Sequence, residues 1–268
     1  MNIEGNREMW TKCPWKNHGE EWSQAWGCTA NLWQVTIMPR IDPLCMLTVV
    51  GTWLEIGCGH GRMTDRLLDL AAVKAYGCNR FVGVDLIQGC VDHCRDIFSD
   101  EPFAWFEQTD GESLPRVKDG TVAFAFSWDS LVHCDRATVG SYLRELDRAI
   151  LNGGYAFLHV SNLGACPQEV RNRTPHLRDL DMSAKWLEDY TWKHTNLEPL
   201  LIELVNWGMA PVKSELIDAF VVLQKNTKRG MDRCVWYENV AFMEEATVAR
   251  EIMKTEKRYI NVVGPVEE

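Results

Sequence analysis

Short apolar runs alternate with amphipathic segments from about residue 51 to residue 225. Apolar runs of strand length bounded by turn residues predict buried strands, whereas apolar residues at three- and four-residue spacing predict helices. This alternation predicts a doubly wound, mostly parallel α/β sheet. The predicted strands cover 52–56, 81–84, 104–109, 121–127, 155–160, 200–207 and 219–225, and the predicted helices include 62–70, 88–98 and 139–150.

The two flanks differ from this central region. The first 50 residues contain five of the twelve tryptophans, namely Trp10, Trp15, Trp22, Trp26 and Trp33. Trp22 and Trp26 are four residues apart, on one face of a helix, either to pack that helix on the core or to cover a ligand. We therefore expect a helical cap at 1–50, a central domain at 51–225 with an insert at 163–195, and a C-terminal extension at 226–268. Segment 236–257 has helical character and would pack on the domain's own flank or on a second subunit, which would give a homo-oligomer.

Three glycines at alternate positions follow the first predicted strand: Gly57, Gly59 and Gly61, with Glu55 just before them. Glycines allow the backbone to turn sharply and to approach a ligand closely. The helix that begins near residue 62 would point its N-terminal amides at that ligand. Asp85 ends the second strand, where its carboxylate could accept hydrogen bonds from both hydroxyls of a ribose. The pattern predicts a nucleoside-binding site.

The spacing G-x-G-x-G, with Glu55 before it and Asp85 after it, resembles motif I of class I methyltransferases that depend on S-adenosyl-L-methionine (SAM). A dinucleotide site has G-x-G-x-x-G instead. The resemblance implies a Rossmann-like seven-stranded sheet, SAM as cofactor and S-adenosyl-L-homocysteine as product. It also implies that Asp110 binds the adenine amino group, although Asp-Gly is a common turn pair as well. The remaining cofactor-binding residues that we predict are Leu86, Gly111 and Ser127, with Trp22 and Trp26 as a lid.

Composition and charge exclude several classes of function. The chain has 268 residues, 46% of them hydrophobic, and a net charge of −10. This charge repels polyanions, so a nucleic-acid partner is not expected. No run reaches the ~18 to 20 apolar residues of a membrane span, and no apolar signal core is apparent. The ten cysteines form no C-x-x-C pair and are expected to be reduced, which indicates the cytoplasm.

The chemistry is expected beyond strands four and five, at the carboxyl edge of the sheet. Methyl transfer to a hydroxyl needs an in-line approach and a base. His133 is the first candidate base, because Asp129 lies one helical turn before it and could hold the imidazole. His159, at the end of strand five, is the second, and each histidine could also have a purely structural role. Only two carboxylates could be placed as metal ligands, so metal-independent chemistry is expected.

Several polar or aromatic residues near these strands could bind the acceptor. Arginine forks suit phosphate or carboxylate groups, so a basic cluster in the insert would favour an acidic or nucleotide-linked acceptor. The same cluster could equally be a solvated loop. The predicted acceptor-binding residues are Trp128, Asn162, Arg171, Arg173 and Arg178, with His176 in the same basic segment.

Three segments, 22–27, 126–133 and 158–164, resemble those of methyltransferases encoded with the glycosyltransferases of polysaccharide assembly. This resemblance implies a sugar or glycan hydroxyl as acceptor, and glycosyltransferases of the same pathway as partners. Val160 stands where a second histidine often occurs in that group, which shifts weight to His133. The leading prediction is a sugar O-methyltransferase. The alternatives are a methyltransferase of natural-product metabolism and a SAM-binding module without catalysis.

Overall fold

The computed structural model describes residues 1–73, 76–173, 177, 179–207, 215–226 and 234–263. The strands are β1 (Gly51–Ile56), β2 (Cys78–Asp85), β3 (Ala104–Gln108), β4 (Val122–Ser127), β5 (Ile150–Ser161), β6 (Leu197–Asn206), β7 (Leu216–Lys225) and β8 (Val235–Asn239). The α-helices are α1 (Ile3–Thr11), α2 (Thr29–Leu32), α3 (Met38–Leu47), α4 (Arg62–Ala71), α5 (Gln88–Ile97), α6 (Arg136–Ala149), α7 (Gln168–Arg171), α8 (Ala184–His194) and α9 (Met243–Val263).

The described strands form one sheet in the order β3-β2-β1-β4-β5-β7-β6-β8. The strands β1 to β5 pair in parallel, whereas β7 runs antiparallel to both β5 and β6. Every residue of β1 and β4 is buried, as expected for central strands covered on both faces. The predicted doubly wound class I methyltransferase fold is confirmed.

The sheet has eight strands, so the prediction of seven is wrong. The extra strand β8 pairs in parallel with the outer side of β6. Four of its five residues, 236–239, fall in the segment whose apolar spacing indicates a helix, and a run this short does not distinguish the helical from the strand period. The helix itself, α9, begins only at Met243.

The N-terminal cap consists of α1, a 3₁₀ helix at Asn17–Trp26, α2, a π-helical turn at Trp33–Ile37, and α3. Residues four apart in a 3₁₀ helix are about a third of a turn apart. Trp22 is accordingly 49% exposed, whereas Trp26 is 1% exposed and packs against Trp207 and Phe242. The expectation that Trp22 and Trp26 share one helical face is therefore wrong.

The C-terminal extension packs on the domain's own flank, which was one of its two predicted positions. Phe242, Ala246 and Ala249 are fully buried, and α9 contacts the cap. Behind them, Arg40 of α3 donates to the carboxylates of Glu203 on β6 and Glu245 on α9. In the described part of the chain, no helix is both long and apolar enough for a membrane span. All ten cysteines are described, and all are free thiols.

Candidate active site

The glycine loop after β1 turns sharply, as its sequence predicts, through a left-handed backbone. Gly57, Gly59 and Gly61 have φ angles of +80°, +53° and +86°. Residues other than glycine rarely adopt such positive φ angles. A Cβ added to Gly57 would lie 2.0 Å from the hydroxyl oxygen of Ser130. Gly61 ends the loop as the N-cap of α4. Glycine is thus required here both for backbone conformation and for space.

Asp85 fastens this loop to the end of β2. One of its carboxylate oxygens accepts from the Gly59 amide at 2.9 Å, and the other accepts from the Ile87 amide at 2.8 Å. Burial raises the pKa of Asp85, and these amides partly offset the effect. The carboxylate stands at the carboxyl edge of the sheet, as predicted.

A cavity of about 90 Å³ opens over the loop and the end of β2. Five of the predicted cofactor-binding residues border it: Gly57, Gly59, Asp85, Leu86 and Gly111. Its roof comes from the cap, through Ile3, Asn6, Trp10 and Trp15. Sequence reasoning missed these four residues, and the tryptophan-rich composition of the cap was the only signal for two of them.

Three further residues predicted at the cofactor have local partners. Glu55 is 2% exposed and accepts from the Thr64 hydroxyl at 2.5 Å. Burial raises the pKa of Glu55 to about 8, although the Thr64 bond opposes the shift. Asp110 is exposed and accepts from the amides of Glu112 and Ser113, so it forms the turn that was its alternative role. The buried Ser127 hydroxyl donates to the Ile56 carbonyl and thereby joins β4 to β1.

A second cavity, of about 650 Å³, adjoins the first. Both cavities are bordered by Trp10, Trp15, Gly57, Gly59 and Asp129, so they meet at the glycine loop. Six indoles border the larger one: Trp10, Trp15, Trp22, Trp26, Trp128 and Trp207. Its polar residues include Glu55, Asp129, His133, His159 and Asp218. Trp22 and Trp26, predicted at the cofactor, therefore border the larger cavity.

Asp129 lies where the two cavities meet, just beyond β4. Its backbone is left-handed, with φ +54°, which is uncommon for any residue except glycine. Its carboxylate accepts from Arg62 at 2.5 Å and lies 3.3 Å from Nδ1 of His159. Burial raises the pKa of Asp129, but Arg62 and His159 lower it by more, so the carboxylate stays ionised.

His159 lies between two carboxylates in an aromatic surround. Its Nε2 is 3.4 Å from the carboxylate of Asp218, which faces it from β7. The ring is 1% exposed and lies against Trp128, Trp207 and Phe220. Burial lowers the pKa of His159, but the two aspartates raise it by more, to about 9. The two aspartates therefore favour the charged form of the imidazole.

His133 ends a 3₁₀ turn, Leu131–His133, and also borders the larger cavity. Its ring meets Trp10 edge to face, with centroids 5.0 Å apart. The turn begins two residues after Asp129, whose backbone is left-handed, so the expected continuous helix carrying both residues is not formed. The Asp129 carboxylate faces His159, the second candidate base.

Of the predicted acceptor-binding residues, Trp128 lies at the larger cavity, whereas Asn162 bonds to the protein backbone. Trp128 borders the larger cavity and stacks on Phe220. Asn162 uses its amide on the backbone, donating to Leu216 and accepting from Ala184.

The two described arginines of the predicted basic cluster also have partners inside the protein. Arg171 donates to the Leu180 carbonyl, and Arg173 pairs with Glu215. Arg178, with His176, lies outside the described residues. The expected basic acceptor site is therefore not formed by the arginines that are described.

Residues 54–154, which contain the glycine loop and most of the smaller cavity's lining, match a family described as "Methyltransferase domain". This part of the chain is similar to a methyltransferase domain. It contains Glu55, Asp85, Asp129 and His133, whereas His159 and Asp218 follow it. No curated protein matches the sequence significantly.

Solved structures share the fold of the methyltransferase domain and its surroundings. A protein of Pyrococcus horikoshii OT3 is 16% identical with a TM-score of 0.56, over 82% of this chain and 99% of that one. The geranyl diphosphate C-methyltransferase of Streptomyces coelicolor A3(2), solved with Mg²⁺, geranyl-S-thiolodiphosphate and S-adenosyl-L-homocysteine, is 14% identical. Its TM-score is 0.56, over 80% of this chain and 83% of that one. A geranyl diphosphate methyltransferase solved with SAM is 15% identical, with a TM-score of 0.55 over 81% and 94%. Likeness at this identity concerns the fold alone.

Proposed function

We propose that this protein is a SAM-dependent O-methyltransferase of a small hydroxyl-bearing acceptor. The observation that carries the proposal is the pair of adjoining cavities, which share the glycine loop and Asp129. The smaller is bordered by Gly57, Gly59 and Asp85, three of the residues that the motif assigns to a nucleoside, and the larger by aromatic and titratable groups. Two ligands placed in them would meet at the loop, as group transfer requires.

The residues of the smaller cavity fit SAM. We expect Asp85 to accept from the ribose hydroxyls, and the positive φ angles of the loop allow the ligand to approach the backbone. When bound, the cofactor supplies a methyl group on a positively charged sulfur. A volume of about 90 Å³ is below the roughly 300 Å³ of a typical ligand site. The larger cavity adjoins the smaller one at the glycine loop, so the bound cofactor would use space in both cavities.

The lining of the larger cavity bears on the acceptor. A glycan site would favour an open polar groove with one or two indoles, whereas an aromatic metabolite favours an apolar enclosure. Six indoles border this cavity, which supports the second class. We therefore propose an acceptor with an aromatic or largely apolar body. The sugar acceptor that the sequence suggested is the second candidate, because indoles also stack on the apolar faces of sugar rings.

The titratable residues that border the larger cavity provide candidates for the base that removes the acceptor's proton. The acceptor hydroxyl loses its proton as it is methylated, and a positioned base is worth roughly 100- to 10,000-fold in rate. His133 and His159 both border the cavity, and His159 is the one that Asp129 faces. The tryptophans exclude water around the reacting hydroxyl. Asp129, tied to Arg62, fixes the wall next to the glycine loop.

The proposal is tested by measuring S-adenosyl-L-homocysteine release with SAM and two acceptor panels, one of phenols and aromatic alcohols and one of mono- and oligosaccharides. Turnover with the first panel and none with the second is expected. Turnover with sugars alone would reverse the choice of acceptor. SAM binding by calorimetry without turnover on either panel would favour a non-catalytic module, and no SAM binding would overturn the proposal.

A further inference from the structure

The register between β5 and β7 places Asp218 beside His159. In this antiparallel pair His159 lies opposite Phe220, and Ser161 lies opposite Asp218. Residues two apart along a strand share a face, so Asp218 is the diagonal neighbour of His159. Its side chain is 15% exposed, whereas that of His159 is 1% exposed. Of the two, Asp218 is the more accessible from the larger cavity, which both border.

Both protonation states of His159 direct a proton toward Asp218. In the charged ring, Nδ1–H faces the Asp129 carboxylate at 3.3 Å and Nε2–H faces Asp218 at 3.4 Å. In the neutral ring, Nδ1 accepts from the Asp129 amide, also at 3.3 Å, and the remaining proton stays on Nε2. In either state His159 carries its Nε2 proton 3.4 Å from the Asp218 carboxylate, a charge-pair contact that does not have the geometry of a hydrogen bond, and its Nε2 lone pair is not offered to the acceptor.

We propose that Asp218 is the catalytic residue that binds the acceptor hydroxyl and receives its proton, with His159 as the residue that positions it. This rests on the proposed function. The acceptor oxygen bonds to the methyl carbon, the carbon–sulfur bond breaks with its electron pair left on sulfur, and the acceptor's proton moves to the Asp218 carboxylate. The oxygen becomes strongly acidic as its new bond forms, so a carboxylate is a sufficient base.

The charges around His159 agree with this role. The groups that face it are Asp129 after β4 and Asp218 on β7, and Arg62 of α4 neutralises Asp129 from the other side. With His159 charged, these two cations and two anions have no net charge. This part of the cavity therefore suits a neutral acceptor. The two carboxylates raise the pKa of His159 and so favour this balance.

The first test compares Asp218→Asn with the parent enzyme, using the acceptor of highest turnover from the panels above. We expect at least a hundredfold loss in kcat/KM with SAM affinity unchanged, and partial recovery in Asp218→Glu. The parent rate should be maintained below pH 7 and should fall above pH 9, as His159 loses its charge. A histidine base would instead lose activity on the acid side.

Asp147→Asn is the matched control, because Asp147 is buried to a similar extent (19% exposed) and pairs with Lys225 at the other end of β7. It should retain the parent rate. The second test needs no acceptor: ¹⁵N NMR titration should show His159 titrating at lower pH in Asp218→Asn than in the parent and in Asp147→Asn. An unchanged titration, or a parent rate and pH profile in Asp218→Asn, would overturn the role of Asp218. Neither result bears on SAM binding or on S-adenosyl-L-homocysteine release by the parent, which test the proposed function separately.

Discussion

The indole of Trp15 lies parallel to the imidazole of His60 in the glycine loop, with ring centroids 4.7 Å apart and 9° between planes. His60 in turn stacks on His93 of α5 at 4.3 Å, and His93 hydrogen-bonds to His18 of the cap at 2.8 Å. Burial, together with His93 and His18, lowers the pKa of His60 to about 4. At neutral pH this stack holds the cap over the loop.

Trp15→Ala should therefore open the cofactor cavity. An aromatic pair contributes about 0.5 to 1.5 kcal/mol, so the dissociation rate constant of SAM should rise roughly 2- to 10-fold. Stopped-flow fluorescence measures it, and Trp105→Ala, an exposed tryptophan on β3, is the control. Equal rates in Trp15→Ala and the parent would leave Trp15 without a gating role. Deleting residues 1–30 is a poorer experiment, because it removes the buried Trp26 from the core.

Asp85→Ala should weaken SAM binding by about 1.5 to 3 kcal/mol, through loss of a charged acceptor for the ribose hydroxyls. The carboxylate also holds the Gly59 amide, so Asp85→Asn, which keeps one carbonyl oxygen, should lose less. Isothermal titration calorimetry on the folded variants measures both. Unchanged affinity in Asp85→Ala would remove this residue from the site.

His133→Ala tests whether His133 is the base that removes the acceptor's proton. If the proton leaves through Asp218, this variant should lose less than about tenfold in kcat, because the proton acceptor is retained while the ring contact with Trp10 is removed. If His133 is the base, the loss should reach at least about a hundredfold with SAM affinity intact, and the acid limb of the pH profile should disappear. Steady-state kinetics from pH 5 to 10 distinguishes the two.

The stability of the fold should depend on the charge of His159. Its folded pKa of about 9 lies above the unfolded value of 6.5, so charged His159 stabilises the folded state fully below pH 6.5 and loses that contribution as pH rises through 9. The contribution is on the order of 3 kcal/mol. Urea unfolding of the parent and His159→Gln should show a difference in unfolding free energy that shrinks by this amount between pH 6 and pH 9.5. A difference independent of pH would contradict a charged His159.

The sequence alone was sufficient to predict the conformation of the glycine loop, because that conformation depends on residue types. Positive φ angles require glycine at 57, 59 and 61. Asp85 could be recognised because it directly ends an apolar run. Strands β1 to β7 were predicted for a related reason, since each is an apolar run with clear turn residues around it. These features are local, so they can be recognised without knowledge of the fold.

The acceptor side could not be predicted in the same way. Asp218 reaches His159 only through the register of β5 with β7, and these strands are separated in sequence by the insert and β6. The roles of Trp22 and Trp26 depend on whether their segment is an α-helix or a 3₁₀ helix, which spacing did not resolve. Asn162 and Arg173 look suitable for a ligand in sequence, yet they bond to neighbours brought close only by folding.

The cluster of Trp26, Trp207 and Phe242 has a consequence for how this chain can be shortened. Two of these rings also border the larger cavity, while the third belongs to the extension after residue 225. A chain shortened at residue 225 would lose Phe242 and the Glu245 partner of Arg40, and with them the support behind the indoles. Such a fragment could keep the glycine loop, but Trp26 and Trp207 at the larger cavity would lose their packing against Phe242. Exchange of modules with a relative would therefore have to carry both ends of the chain together.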